Sequence, residues 1–172
     1  MSLPAAMGCP LEVPAHEVAA RGLFVEGGYR LDPERISPEH AARMRTAHAP
    51  FGFDEGVPPR KGRMNIAALD PVWRKESLLK YEEYLHSAAR FPSIKLVVMH
   101  PAPRLWKERA GSEKPVPAGE YALLIEGLRA LAGLAAKLKL TLAVENNRAY
   151  WDAVPDTQRF VEAGRSDVRE YF

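Results

Sequence analysis

Along the chain, two kinds of hydrophobic spacing alternate. Short, nearly continuous apolar runs occur at Leu11–Ala15, Thr46–Pro50, Ile94–His100 and Leu140–Glu145. Runs of this length read as strands buried on both faces, the pattern of a parallel sheet. Between them lie longer stretches with helical period. Asp70-Pro71 supplies a capping carboxylate and a first-turn proline, a helix opening. Leu78, Tyr81, Leu85 and Ala88 then share one face as far as about Phe91, and Pro92 ends the segment. A second helix is predicted from Ala118 to Lys139. Its apolar stripe is Tyr121, Leu124, Ile125, Leu128, Leu131, Ala132, Ala135 and Leu138. Shorter helices are expected around Ser37–Arg45 and from Pro155-Asp156. Strands alternating with helices predict βα units: an α/β domain with about four parallel strands and helices on the outside.

Composition narrows the class without changing it. At 172 residues the chain fits one domain with a real core. A formal charge of +2 argues against nucleic acid and anionic membranes as partners. One cysteine, Cys9, excludes an internal disulfide framework, and its simplest reading is a buried thiol. The N-terminal residues lack a basic segment followed by an apolar core, and no run approaches the about 18 apolar residues of a membrane helix. The expectation is a cytoplasmic protein.

In parallel α/β sheets and barrels, ligands bind at the carboxyl ends of the strands. The second, third and fourth runs end in His48-Ala49-Pro50, His100-Pro101 and Glu145-Asn146-Asn147. Two imidazoles and a carboxylate on one rim suit a divalent metal, and equally proton transfer beside a carbonyl. Taken singly, each residue has a plainer reading. A strand-end histidine also serves as a structural hydrogen-bonding group, and Glu145 could pair with an arginine. The loops that follow carry aromatics beside cations: Phe51, Phe53, Arg60, Lys61 and Arg63; Arg104, Trp106, Lys107, Arg109 and Lys114; Arg148, Tyr150 and Trp151. Such groups suit a sugar face and an anionic substituent. His16, His40 and His86 fall in a loop or on helix faces and are assigned no chemistry.

The ordered segments TAHAPFGF…RMNIAALD, KLVVMHPAP and LTLAVENN resemble the xylose isomerase-like TIM barrels, a superfamily of sugar and sugar-phosphate isomerases and epimerases, inosose-type dehydratases and endonuclease IV. The resemblance covers roughly residues 10 to 160. It implies that Glu145 binds a divalent metal (Mn, Mg, Co or Zn) and takes part in proton transfer. It implies that His48 and His100 are metal ligands or pocket lining, with His100 near the chemistry. Asn65, Trp106, Asn147 and Trp151 then become expected substrate contacts. The implied activity is isomerisation or epimerisation of a sugar or sugar phosphate. An endonuclease IV-like zinc hydrolase and a non-catalytic fragment are the alternatives. On this reading Leu11–Ala15 is the second barrel strand, the first is missing or reduced to the N-terminal residues, and the sequence stops before the sixth. A full barrel takes at least about 200 residues. Residues 1–172 would then form a single incomplete TIM-barrel domain, and a second copy could close the sheet as a homo-oligomer.

Overall fold

The computed structural model describes residues 2–4, 17, 20–22, 24–28, 30–50, 64–101, 118–144 and 168–169. The elements in chain order are β1 (Ser2–Pro4), β2 (Phe24–Gly27), α1 (Pro38–Arg43), β3 (Met44–His48), α2 (Pro71–Ala89), β4 (Leu96–Met99), α3 (Ala118–Lys137), β5 (Thr141–Val144) and β6 (Val168–Arg169). The strands form one sheet in sequential order, and every pairing is parallel. Sequential parallel order with helical crossovers is the arrangement of a (β/α) barrel wall.

The parallel α/β class is as expected. The sheet has six strands among the described residues rather than about four. β1 falls within the N-terminal segment thought to be reduced, and β6 is a sixth strand paired through Leu142↔Val168 and Ala143↔Arg169. Both edge strands are too short to leave a hydrophobic run. β2 was also not foreseen, because Glu26 and two glycines interrupt its apolar residues. A Cβ at Gly27 would come within 2.7 Å of Leu31 Cδ2 and 3.3 Å of Ala47 Cβ, so a larger residue there would force Leu31 to shift. The expected strand at Leu11–Ala15 and the expected helix from Pro155 lie outside the described residues, as does Cys9.

β3 starts at Met44, inside the stretch expected to be helical. α1 stops at Arg43, because Met44 is fully buried and pairs with Val25. Ser37 caps α1 by accepting a hydrogen bond from the His40 amide at 3.3 Å. α2 opens on Asp70 as read from the sequence: Oδ1 accepts from the amides of Val72 at 2.9 Å and Trp73 at 3.2 Å. Its buried positions are Ser77, Tyr81, Tyr84, Leu85 and Ala88. α3 buries Leu124, Ile125, Leu128, Leu131, Ala132 and Ala135, the central six of the eight predicted stripe positions. Tyr121 and Leu138, at the stripe's two ends, pack against the core half-buried. The helices cover one face of the sheet, where Val25, Ala47, Val97, Met99, Leu142 and Val144 are buried. Burial of this apolar surface, at about 25 cal/mol per Å², is what holds the layers together.

The opposite face differs. Glu26, Thr46, His48, Leu96, Val98 and His100 are all only half-buried. Side chains alternate across a strand. A strand that meets helices on one side and a barrel interior on the other can therefore carry polar groups on the inner side.

Candidate active site

His48 is the last residue of β3, and His100 follows the last residue of β4. These strands are neighbours, with His48 in register with Val98. The two imidazoles therefore meet at the carboxyl edge, ring centroids 5.0 Å apart and planes tilted by 36°. His48 Nδ1 lies 2.9 Å from the carbonyl oxygen of Ala49. A carbonyl only accepts, so Nδ1 carries the proton in that bond, and in the neutral ring Nε2 bears the lone pair.

The scaffold behind the pair is tightly bonded. The Ala49 amide donates to the Val98 carbonyl at 2.8 Å, carrying the β3–β4 ladder one step past His48. On α2, the fully buried Tyr81 donates its hydroxyl to the His100 carbonyl at 2.6 Å. Burial pushes the Tyr81 phenol far above the usual tyrosine range, so it stays a neutral donor. One turn further along, Tyr84 donates to the Gly28 carbonyl at 2.7 Å, just past β2. α2 thus grips the turns that follow β2 and β4, on either side of the strand that carries His48.

Asn65 is buried, and its Oδ1 accepts from the Ala67 amide at 2.9 Å, closing a side-chain turn. Its own amide donates at 2.8 Å to Ser77 Oγ, which in turn donates to the Trp73 carbonyl at 2.8 Å. The adjacent Ile66 amide donates to the Pro101 carbonyl at 3.1 Å. The segment after β3 is therefore bonded to the turn that holds His100.

The structure brings together His48 and His100 of the expected set and puts Asn65 in the neighbouring turn. Glu145, Trp106, Asn147 and Trp151 lie outside the described residues. Glu145 follows Val144 in sequence, and Val144 is the register partner of Met99, the residue before His100. Among the described residues no three His, Cys, Asp or Glu side chains gather as a metal cluster. Among them also, no helix is long and apolar enough to cross a membrane. Sequence reasoning read Tyr81 only as a core position, did not single out Tyr84, and missed Glu26, whose strand was not foreseen.

Sheet order, outer helices and a polar carboxyl edge define a partial (β/α) barrel. Comparison with solved structures makes that specific. D-psicose 3-epimerase in the presence of D-fructose matches with a TM-score of 0.62 and 21% identity, over 91% of this chain and 55% of that one. The 3-keto-D-glucoside 4-epimerase from E. coli, in its apo form, matches with a TM-score of 0.67 and 16% identity, over 98% and 66%. A xylose isomerase-like TIM barrel protein from Mycobacterium smegmatis in complex with magnesium matches with a TM-score of 0.56 and 14% identity, over 92% and 56%. The chain shares the TIM-barrel fold of these structures and spans between half and two thirds of their length. No family model matches the sequence, and no curated protein matches it.

Proposed function

We propose that the chain provides the histidine-bearing wall of a sugar isomerase or epimerase site, in which a divalent metal assists proton transfer beside a carbonyl. The observation that carries the reading is the pair of imidazoles at adjacent strand ends, 5.0 Å between ring centres. Two imidazoles sharing one ion at metal–nitrogen distances of about 2.0–2.1 Å have ring centres roughly 5 Å apart. The bond from His48 Nδ1 to Ala49 is the kind of outer contact that fixes the tautomer and orientation of a metal-binding imidazole. The spacing of the two imidazoles supports a metal between them. His48, His100 and Glu145 would hold it, and it would supply Lewis-acid stabilisation of the charge that develops on a carbonyl oxygen.

The chain's own groups would do the rest. Glu145 would take the proton from the carbon beside the carbonyl and return it. His100, fixed through its carbonyl by Tyr81, would stay in place while charge moves. Asn65, with Oδ1 engaged by Ala67, would offer its amide Nδ2 to a substrate oxygen. Trp106, Asn147 and Trp151 would line the sugar. The epimerase structures of like fold, one with D-fructose present, support a small sugar or sugar phosphate as substrate.

The test is metal content and ketose turnover in the wild type, Glu145→Gln and His100→Ala. D-Fructose and D-tagatose serve as substrates, with Mn, Mg, Co and Zn supplied in turn. Stoichiometric metal in the wild type, lost with turnover in both variants, is the expected result. Equal metal binding and activity in all three proteins would reject the assignment. Zinc-dependent cleavage of an abasic-site duplex without ketose turnover would replace it with a hydrolase.

A further inference from the structure

We propose that Glu26 and Thr46 form a second polar subsite on the inner sheet face, one that accepts hydrogen bonds from substrate hydroxyl groups and so contributes to sugar specificity. The proposal rests on the reading that this face takes a sugar. Glu26 on β2 is in register with Thr46 on β3, and Thr46 Oγ1 donates to Glu26 Oε2 at 3.3 Å. Both therefore project from the same side of the sheet. His48, two residues beyond Thr46 on one strand, projects there too. Parallel barrel strands usually carry apolar residues at such positions, and a half-buried carboxylate there is costly unless hydrogen bonds compensate it.

The chemistry of the pair selects its ligand. Thr46 spends its only proton on Glu26, so its oxygen is left as an acceptor. An ionised carboxylate has acceptor sites alone, about four of them. At 3.3 Å the threonine contact is long against the roughly 2.5–2.7 Å of a strong hydroxyl–carboxylate bond, so it does not saturate Glu26. The pair thus presents several acceptors, which suits a hydroxyl-rich ligand. Two residues of strand put Thr46 roughly 7 Å below His48, a span that a sugar chain of a few carbons can bridge. The register partners on β4 are apolar: Leu96 beside Thr46 and Val98 beside His48. A sugar lying between would turn hydroxyl groups toward β2 and β3 and its C–H face toward β4.

The test is calorimetric binding of D-fructose, D-tagatose and their single-deoxy analogues to the wild type, Glu26→Gln, Thr46→Val, Thr46→Ser and His100→Ala. Glu26→Gln is expected to weaken sugar binding by about ten-fold or more, the value of a charge-assisted bond. Thr46→Val should follow it, whereas Thr46→Ser keeps the hydroxyl and should bind like the wild type. One deoxy analogue should bind Glu26→Gln and wild type equally, because it lacks the hydroxyl that Glu26 accepts from. A uniform loss across all analogues would mean a merely structural carboxylate and overturn the proposal. Sugar binding that depends on His100 but not on Glu26 would overturn the subsite and leave the sugar-site reading standing. No sugar binding by the wild type would overturn both.

Discussion

The hydroxyl of Tyr81 donates to the backbone carbonyl of His100 across 2.6 Å, joining a helix of the outer layer to the residue that follows a central strand. The donor is buried, and the acceptor belongs to one of the two residues on which the site is built. Tyr81→Phe removes the donor while keeping the ring that fills the core. The carbonyl then loses this donor, and the expected cost is about 1–2 kcal/mol. Chemical denaturation of the two proteins measures it, with an unchanged denaturant slope showing that compactness is kept.

The same tyrosine predicts an alkaline limb of stability. Its phenol is held protonated by burial in the folded state, whereas in the unfolded chain it ionises near the ordinary value of about 10. Its folded pKa is raised, so its contribution is complete below the unfolded value of about 10. As pH rises past it, the unfolded state binds fewer protons than the folded state and stability falls. The limiting slope for one such group is about 1.4 kcal/mol per pH unit. Unfolding followed between pH 8 and 11 should show a steeper decline in the wild type than in Tyr81→Phe. Parallel curves for the two proteins would contradict the assignment.

Ser77 is a fully buried hydroxyl with both roles in use: it accepts from the Asn65 amide and donates to the Trp73 carbonyl. Replacing it by alanine strands the buried Asn65 amide. A helical carbonyl such as that of Trp73 tolerates the loss better, since it can accept within the helix. The expected destabilisation is about 1–3 kcal/mol. It should be accompanied by faster hydrogen exchange at Asn65, Ile66 and Ala67, because the turn they form is anchored through Ser77.

How far the sequence discloses this structure depends on how local each cause is. α3 is legible because its stripe repeats with helical period over five turns, and the buried set follows it closely. β4 and β5 are legible as continuous apolar runs between turn residues. β2 is not, because its identity comes from pairing with β1 and β3 and not from its four residues, one of which is a glutamate. The site divides the same way. His48 and His100 stand out because they end recognisable strands. Tyr81 carries no local sign that its hydroxyl meets a carbonyl 19 residues away, and its spacing marks only a core position. Glu26 became a candidate once register paired it with Thr46.

The end of α3 offers a stabilising substitution. Lys139 has φ of 60°, in the left-handed region, two residues past the last helical residue, Lys137. Its amide donates to the Ala136 carbonyl at 3.0 Å, and the Leu140 amide donates to the Ala135 carbonyl at 2.9 Å. These two bonds form a Schellman termination, whose left-handed position usually belongs to glycine. For lysine the conformation costs roughly 1–2 kcal/mol, because its Cβ crowds the following carbonyl. Glycine relieves that strain but gives the unfolded chain more freedom, an offset of about 0.4–1 kcal/mol. Lys139 is exposed, so few packing contacts are at stake. Lys139→Gly is therefore expected to raise stability by up to about 1 kcal/mol, and Lys139→Val to lower it, since a β-branched side chain is worse still at positive φ. Thermal unfolding midpoints in the order glycine, lysine, valine would bear this out, whereas a glycine variant less stable than the lysine parent would refute it.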